Sequence, residues 1–236
     1  MTVVKGSNFD NWRTVGNAEA TARLYAAREV DELMFLDVTA RKRGTSIPIP
    51  LVEQFSKILN VPFSVGGGIS TLEHAKLCFR HGAEKVVIGT SAVTTPGLIY
   101  EIASTFGSQA VITTIDLEDS IKGNVLIKSG SENALIDALS LLRSIEAEGA
   151  GEILLQSKSK EGLMKGYDLE AIRTVTNNCQ LPLIASSGCG GAEDAIAALH
   201  AGADAVAVGA LFNFSSTTPA QLREELRKSG FRTRVC

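Results

Sequence analysis

The sequence predicts an α/β fold with a parallel sheet, because seven short apolar runs alternate with eight amphipathic stretches along 236 residues. The runs are rich in β-branched residues and apolar on both faces, as in parallel strands that helices cover. The predicted strands are Glu32–Asp37, Pro62–Val65, Lys85–Gly89, Ala110–Asp116, Glu152–Gln156, Pro182–Ser186 and Ala205–Gly209. The predicted helices are Ala18–Glu29, Leu51–Leu59, Leu72–His81, Gly97–Phe106, Ala134–Glu148, Leu169–Asn177, Ala192–Ala201 and Pro219–Ser229.

Eight helices in a chain of this length favour a (β/α)₈ TIM barrel, with a doubly wound open sheet as the alternative. The G-x-G-x-x-G pattern of dinucleotide-binding open sheets does not follow the first predicted strand. We expect one barrel domain over residues 1–236. Asp168 and Thr71 stand directly before predicted helices and are expected to be N-caps.

An internal repeat supports the barrel. Residues 61–91 align with residues 181–211 at a constant offset of 120 (181 minus 61) and without a gap. The identical pairs are Pro62/Pro182, Gly68/Gly188, Glu73/Glu193, Ala75/Ala195, Gly82/Gly202, Ala83/Ala203, Val86/Val206 and Gly89/Gly209. One β-loop-α-β unit used twice predicts a barrel made of two half-barrels.

The same offset places the counterpart of Asp116 before Met1. We therefore expect the first barrel strand and its acid to be missing from this sequence. The sheet should then show a gap between Glu32–Asp37 and Ala205–Gly209, or a makeshift strand formed by Thr2–Lys5.

The candidate site lies at the carboxyl ends of the predicted strands, where barrel proteins carry their chemistry. Asp116 ends one strand and offers a carboxylate there. Two glycine-rich loop sets, related by the repeat, follow other strands. They are Gly67, Gly68, Gly89 and Thr90 in the first set, and Ser187, Gly188, Gly209 and Ala210 in the second. Such loops bring backbone N–H groups close to an anion, so two sets indicate a ligand with a phosphate at each end. The alternative is that these glycines only make tight turns.

Charged residues also stand at the opposite ends of the strands. Glu32, Lys85 and Glu152 begin predicted strands, and charges there normally satisfy one another at the bottom of a barrel. Lys5 falls in an expected loop, where it either contacts a phosphate or is an ordinary surface lysine. No cofactor and no metal site is predicted.

The composition excludes several classes of function. The net charge is −3, and the absence of a basic block argues against nucleic-acid or anionic-membrane binding. We expect no signal peptide and no membrane span. The four cysteines form no C-x-x-C pair, which is typical of reduced thiols in a cytoplasmic protein. They are Cys78, Cys179, Cys189 and Cys236.

Eight segments, in order, resemble the cyclase subunit of imidazole glycerol phosphate synthase. They read KGSNFDNWR, DELMFLDVTA, VPFSVGGGIS, GAEKVVIGTSAV, FGSQAVITTID, GAGEILLQS, KGYDLEAIR and GADAVAVGALFNF, and they cover nearly the whole chain. The resemblance implies a (β/α)₈ barrel that receives ammonia from a glutaminase subunit, as a heterodimer, at its N-terminal face. It also implies a phosphorylated small-molecule substrate, a bisphosphate ribonucleotide, which two aspartates cleave and cyclise by acid–base catalysis.

The resemblance assigns roles to particular residues. It makes Asp116 one of the two catalytic aspartates and Lys5 the lysine of a mobile catalytic loop. It adds Gly162 to the second phosphate loop set. It makes Glu32, Lys85 and Glu152 an ammonia gate, and Glu84 a contact that signals to the glutaminase.

Several positions depart from the family pattern. Glu161-Gly162-Leu163 replaces Asp-Gly-Thr, Gly89 replaces an asparagine, and Ser187 replaces a glycine. Such changes also resemble cyclase-like proteins that deliver ammonia for acetamidino modification of surface sugars. A barrel that only binds and activates a glutaminase is the third hypothesis.

Overall fold

A computed structural model of the chain describes residues 1–234. Within them the strands are β1 Thr2–Ser7, β2 Asp10–Asn17, β3 Leu33–Leu36, β4 Phe63–Gly66, β5 Lys85–Ile88, β6 Val111–Leu117, β7 Val125–Ile127, β8 Glu132–Asn133, β9 Glu152–Ser157, β10 Leu183–Ala185 and β11 Ala205–Val206. The helices are α1 Ala18–Ala27, α2 Ile49–Ile58, α3 Leu72–Arg80, α4 Ser91–Thr94, α5 Leu98–Phe106, α6 Ala138–Ala147, α7 Leu169–Asn178, α8 Ala192–His200, α9 Ala210–Phe214 and α10 Pro219–Lys228, with a 3₁₀ turn at Ser108–Ala110.

The main sheet confirms the predicted α/β fold of the TIM-barrel type. All seven predicted strands are present and pair in parallel in the order β11-β10-β9-β6-β5-β4-β3. The antiparallel hairpin β7–β8, which the sequence did not predict, pairs with the end of β6. The longest parallel ladder joins β6 to β9, with Ile112 opposite Glu152 and Asp116 opposite Gln156. No helix of residues 1–234 is long and apolar enough to cross a membrane.

The predicted gap is confirmed in the part of the chain that the structure describes, since β3 and β11 form the two ends of the sheet. The alternative of a makeshift strand from Thr2–Lys5 was wrong. β1 instead pairs antiparallel with β2, with Val3 opposite Gly16, in a separate hairpin. Lys5 therefore lies in a strand rather than in the expected loop. The edge strand β11 is short and Ala205 is exposed, because an edge strand has a neighbour on one side only.

Side-chain caps set the helix boundaries. The Thr71 hydroxyl accepts a hydrogen bond from His74 N–H at 3.2 Å, and the Asp168 carboxylate accepts one from Ala171 N–H at 3.0 Å. Both predicted N-caps are confirmed. The predicted start of α6 at Ala134 was wrong. Asp137 accepts from the backbone N–H of Ser140 at 2.9 Å and caps the helix there, so α6 begins at Ala138.

The apolar residues divide between the two faces of the sheet. The larger cluster lies between the sheet and the helices and includes Phe55 and Ile145. The smaller cluster, on the opposite face, consists of Val87, Ile112 and Leu154. We call this second face the inner face. Cys78, Cys179 and Cys189 are buried free thiols, and Cys236 lies outside the described residues.

The alternation of side chains along a strand shows which residues at the two ends of the sheet lie on the inner face. Successive side chains point to opposite faces, so residues two apart share one face. Ile112 therefore shares the inner face with Asp116, and Leu154 shares it with Glu152 and Gln156. The predicted acid and the predicted charged bottom consequently belong to one surface, separated by an apolar layer.

Candidate functional site

A cavity of about 270 Å³ opens at the carboxyl ends of the strands. Strands β6 and β9 contribute Asp116 and Gln156 to its lining. The β1–β2 hairpin contributes Val4, Phe9 and Trp12, which cover the cavity with apolar and aromatic surface. The loop of the β7–β8 hairpin closes one side, where the Ser129 hydroxyl donates to Val38 O at 2.9 Å. The cavity therefore surrounds the acid that the sequence placed at a strand end.

The surroundings of the Asp116 carboxyl change its pKa. The residue is half-buried, and its Oδ1 is shielded from solvent without a hydrogen-bond partner among residues 1–234. The pKa of the Asp116 carboxyl is raised to about 7: burial raises it most, the Thr114 hydroxyl opposes this, and the negative charge of Glu161 adds to the rise. A carboxyl that titrates near neutral pH can both give and take a proton.

Two other acids line the same cavity, and their surroundings differ. The Asp37 carboxylate accepts hydrogen bonds from Thr39 N–H at 2.9 Å, Thr39 hydroxyl at 2.8 Å and Ala40 N–H at 3.0 Å. It also forms an ion pair with Arg43 at 2.8 Å. These four bonds satisfy the Asp37 charge and fix the loop after β3. Among residues 1–234, the Glu161 carboxylate accepts one hydrogen bond, from the Ser187 hydroxyl to its Oε2 at 2.6 Å.

The first predicted loop set lies in the cavity. Gly67, Gly68, Gly89 and Thr90 all belong to its lining, together with Asp116. Gly67 has a φ of +118°, and a Cβ there would come within 2.6 Å of Asp37 O, so the close approach of the two backbones requires glycine. Arg41 lies in the same lining and supplies a cation beside these glycines. The structure thus brings the first predicted loop set and a cationic side chain into one cavity.

The second predicted loop set does not line this cavity. Its members are Gly162, Ser187, Gly188, Gly209 and Ala210. The Ser187 hydroxyl is engaged by Glu161, and the Gly188 carbonyl accepts from Gly166 N–H at 2.8 Å. Lys5 is close to this set: its Nζ lies 4.7 Å from the Phe214 ring centroid, and its Cε would lie 3.3 Å from a Cβ on Gly162. Lys5 is therefore positioned beside the second set and α9.

The predicted gate residues meet at the opposite end of the inner face. Lys85 Nζ lies 3.0 Å from Glu32 Oε2 and 2.7 Å from Glu152 Oε1. Burial opposes the charge on Lys85, but the hydrogen bonds and charges of both glutamates outweigh it, so the pKa of Lys85 is raised. Glu84, one residue before β5, is exposed on the same end of the sheet. The structure thus places all four predicted residues at the N-terminal ends of the strands.

Sequence reasoning missed three contributors to the cavity. Gln156 could have been found from the strand pattern, because it is two residues beyond Leu154 and so lies on the inner face, opposite Asp116. Trp12 belongs to a hairpin that no strand pattern indicated. Glu161 lies in a loop, where no periodicity exists, and only its contact with Ser187, 26 residues away in sequence, fixes its place.

Chemistry at the carboxyl ends of parallel strands is typical of barrel enzymes, and the cavity around Asp116 places this chain in that class. Comparison with family models gives the particular family. A model described as histidine biosynthesis protein matches residues 1–218. The chain belongs to that family.

Individual relatives agree with this family. Three proteins named imidazole glycerol phosphate synthase subunit HisF are similar to almost the whole chain. The protein of Thermotoga sp. (strain RQ2) is 41% identical over 99% of this chain and 92% of its own length. That of Dictyoglomus thermophilum is 39% identical over 99% and 93%. That of Pyrobaculum aerophilum is 39% identical over 99% and 92%.

Proposed function

We propose that this chain is the cyclase subunit of imidazole glycerol phosphate synthase in histidine biosynthesis and that Asp116 is its acid–base catalyst. Relatives of that name match at about 40% identity over nearly the full length. The observation that carries the catalytic assignment is the Asp116 carboxyl, shielded at the end of β6 in a cavity. Breaking one C–N bond while ammonia forms another requires a group that gives and takes protons near neutral pH.

The substrate is a bisphosphate ribonucleotide, and we assign one phosphate to each glycine loop set. Gly67, Gly68, Gly89 and Thr90 offer backbone and hydroxyl donors to the first, with Arg41 for its charge. Gly162, Ser187, Gly188, Gly209 and Ala210 receive the second. Lys5 beside Gly162 supplies the cation on that side.

The partner is a glutaminase subunit that docks at the N-terminal ends of the strands. The relatives are named as subunits, and the exposed Glu32 and Glu84 lie on this end. The inner face links it to Asp116 through an apolar layer of Val87, Ile112 and Leu154. Neutral ammonia crosses an apolar layer far more readily than ammonium or other ions, because charge is costly to desolvate. Lys85, held between Glu32 and Glu152, is the gate at its entrance.

Turnover with ammonium salt tests the catalytic assignment without the partner. The purified chain, given the bisphosphate ribonucleotide and saturating ammonium at pH 8, should form the cyclised product. Asp116→Asn should lower kcat by about 10²–10⁴-fold, the usual contribution of an acid–base group, with little change in KM. Asp119→Asn, an exposed acid three residues away, is the matched control and should leave kcat unchanged.

Two results would contradict the proposal. Wild-type protein that gives no product at saturating ammonium would refute the cyclase function. A cyclase in which Asp116→Asn keeps its kcat would refute the role of Asp116 alone. The chain could also stimulate an added glutaminase to release ammonia from glutamine and yet form no cyclised product. It would then be an ammonia-delivering or partner-activating barrel.

A further inference from the structure

The cavity holds a second acid, Glu161, whose carboxylate forms no ion pair within residues 1–234. Of the acids in the lining, Asp37 is neutralised by Arg43 and three further donors. Glu161 receives one side-chain hydrogen bond, from the neutral hydroxyl of Ser187. The Glu161 carboxylate therefore keeps lone pairs that can accept a proton from a ligand in the cavity.

Glu161 is held in a defined place although it lies in a loop. Its Oε2 is 2.6 Å from Ser187 Oγ, which follows β10, and Ser187 is itself buried. Its backbone N–H donates to Lys158 O at 3.2 Å, and its carbonyl accepts from Asn8 N–H in the β1–β2 hairpin at 3.4 Å. Besides the turn within its own loop, these contacts tie Glu161 to two other segments, the loop after β10 and the β1–β2 hairpin. The carboxylate is therefore directed to one side of the cavity and does not sample the solvent freely.

Glu161, in the loop after β9, and Asp116, at the end of β6, line one cavity, and their charges interact. Other charged or titratable groups surround the pair. They are Asp37 and Arg41 in the cavity lining, Arg43 on Asp37, Lys5 beside Gly162, Lys158 with its Nζ on Gly130 O, and Tyr167, whose pKa is raised mainly by burial and slightly by the charge of Glu161.

We propose that Glu161 is a second acid–base group of this site, that it works as a pair with Asp116, and that Ser187 positions it. The proposal rests on the cyclase function proposed above. Two carboxyl groups that share a small cavity divide their roles when their surroundings differ. Asp116, with its shielded Oδ1, is the proton donor of the pair, and Glu161, which Ser187 holds in place, is the proton acceptor.

The pair completes a balanced proton transfer. The electron pair of ammonia forms the new C–N bond, and the attacking nitrogen gives one proton to the Glu161 carboxylate. As the C–N bond to the leaving group breaks, the leaving nitrogen takes the proton of Asp116. One proton has entered the pair and one has left it, so no net charge accumulates in the cavity. Proton exchange between the two carboxyl groups restores the starting state.

A titration of Asp116 tests the pairing independently of turnover. The carboxyl carbons of ¹³C-aspartate-labelled protein are followed by NMR from pH 4 to pH 9, and the Asp116 signal is assigned with Asp116→Asn. In Glu161→Gln the midpoint of Asp116 should move to lower pH, because a negative neighbour is removed. Glu170→Gln removes the same charge from an exposed position at the start of α7 and should leave the midpoint in place. An unchanged midpoint in Glu161→Gln would overturn the pairing.

Ammonium-driven turnover tests the catalytic part. Glu161→Gln should lower kcat by about 10²-fold or more, as expected for loss of an acid–base group, and should shift the pH–rate profile. Ser187→Ala removes the hydroxyl that holds Glu161 and keeps the backbone N–H assigned to the phosphate, so kcat should fall by much more than KM rises. A rise in KM alone would assign Ser187 to phosphate binding and overturn its positioning role. If wild-type protein shows no turnover, the cyclase function fails, while the NMR titration still decides whether the pair exists.

Discussion

The raised pKa of Asp116 predicts that this residue destabilises the folded protein at neutral pH. The carboxyl titrates at about 7 in the folded state and has an ordinary value of 3.8. The folded state therefore holds its proton more tightly than the unfolded state does. Below about pH 4 Asp116 does not lower the free energy of unfolding, and as the pH rises from about 4 to 7 this free energy falls. An ion-paired aspartate has the opposite effect, because its pKa is lowered in the folded state.

The size of the effect follows from the two pKa values. A difference of about 3 units at about 1.4 kcal/mol each gives about 4 kcal/mol. Asp116 is half-buried and borders an open cavity, and solvent screening lowers the expected value to about 2–4 kcal/mol. Asparagine carries no charge to bury, so Asp116→Asn should be the more stable protein at pH 8 by this amount. The two proteins should have nearly equal stability at pH 4.

Urea unfolding of both proteins at half-unit steps from pH 4 to pH 8 measures this difference. The gain in stability of Asp116→Asn should grow with pH and level off above about pH 7. Asp119→Asn, an exposed neighbour, should show no such growth. A gain that does not depend on pH, or a variant less stable than wild type at pH 8, would show that Asp116 is not held protonated by its surroundings.

Three further outcomes follow from other parts of the structure. In thermal unfolding, Gly67→Ala should lose about 1–3 kcal/mol more stability than Gly97→Ala. Both glycines have a positive φ, but only at Gly67 would the added Cβ press against backbone atoms. Equal losses would refute this. Trp12, the single tryptophan of the chain, lines the cavity, so bisphosphate binding should change its fluorescence; silent binding would place the ligand elsewhere. Lys85→Met should cost about 1–2 kcal/mol in urea unfolding by leaving Glu152 without its partner, and the double variant with Glu152→Met should recover part of that loss; full additivity would argue against their coupling.

Alternation and periodicity made most of the fold predictable. The parallel strands are short apolar runs, and their order along the chain is also their order in the sheet. Asp168 and Thr71 capped the helices that they were expected to cap, because an N-cap depends on a residue three positions away. The start of α6 was misplaced, since Ala134 to Ile136 fit a helical pattern until Asp137 interrupts it.

Half of the candidate site was predictable for the same reason. Asp116 and Lys85 stand at opposite ends of strands, and the period of two residues places them on the inner face. The repeat located Gly67, Gly68 and Gly89 beside the acid. Glu161 was not recognised as an acid of the cavity, because a loop residue has no period to reveal its direction.

The sequence by itself determined the parallel sheet, the strand ends that carry Asp116 and the charged cluster of Glu32, Lys85 and Glu152. Each depends on patterns within a few residues of the chain. The tertiary structure alone decided that β1 pairs with β2, that Arg43 satisfies Asp37, and that Glu161 faces the same cavity as Asp116. The placement of Glu161 depends on a contact with Ser187 across 26 residues of chain, and only the folded sheet brings those two loops together.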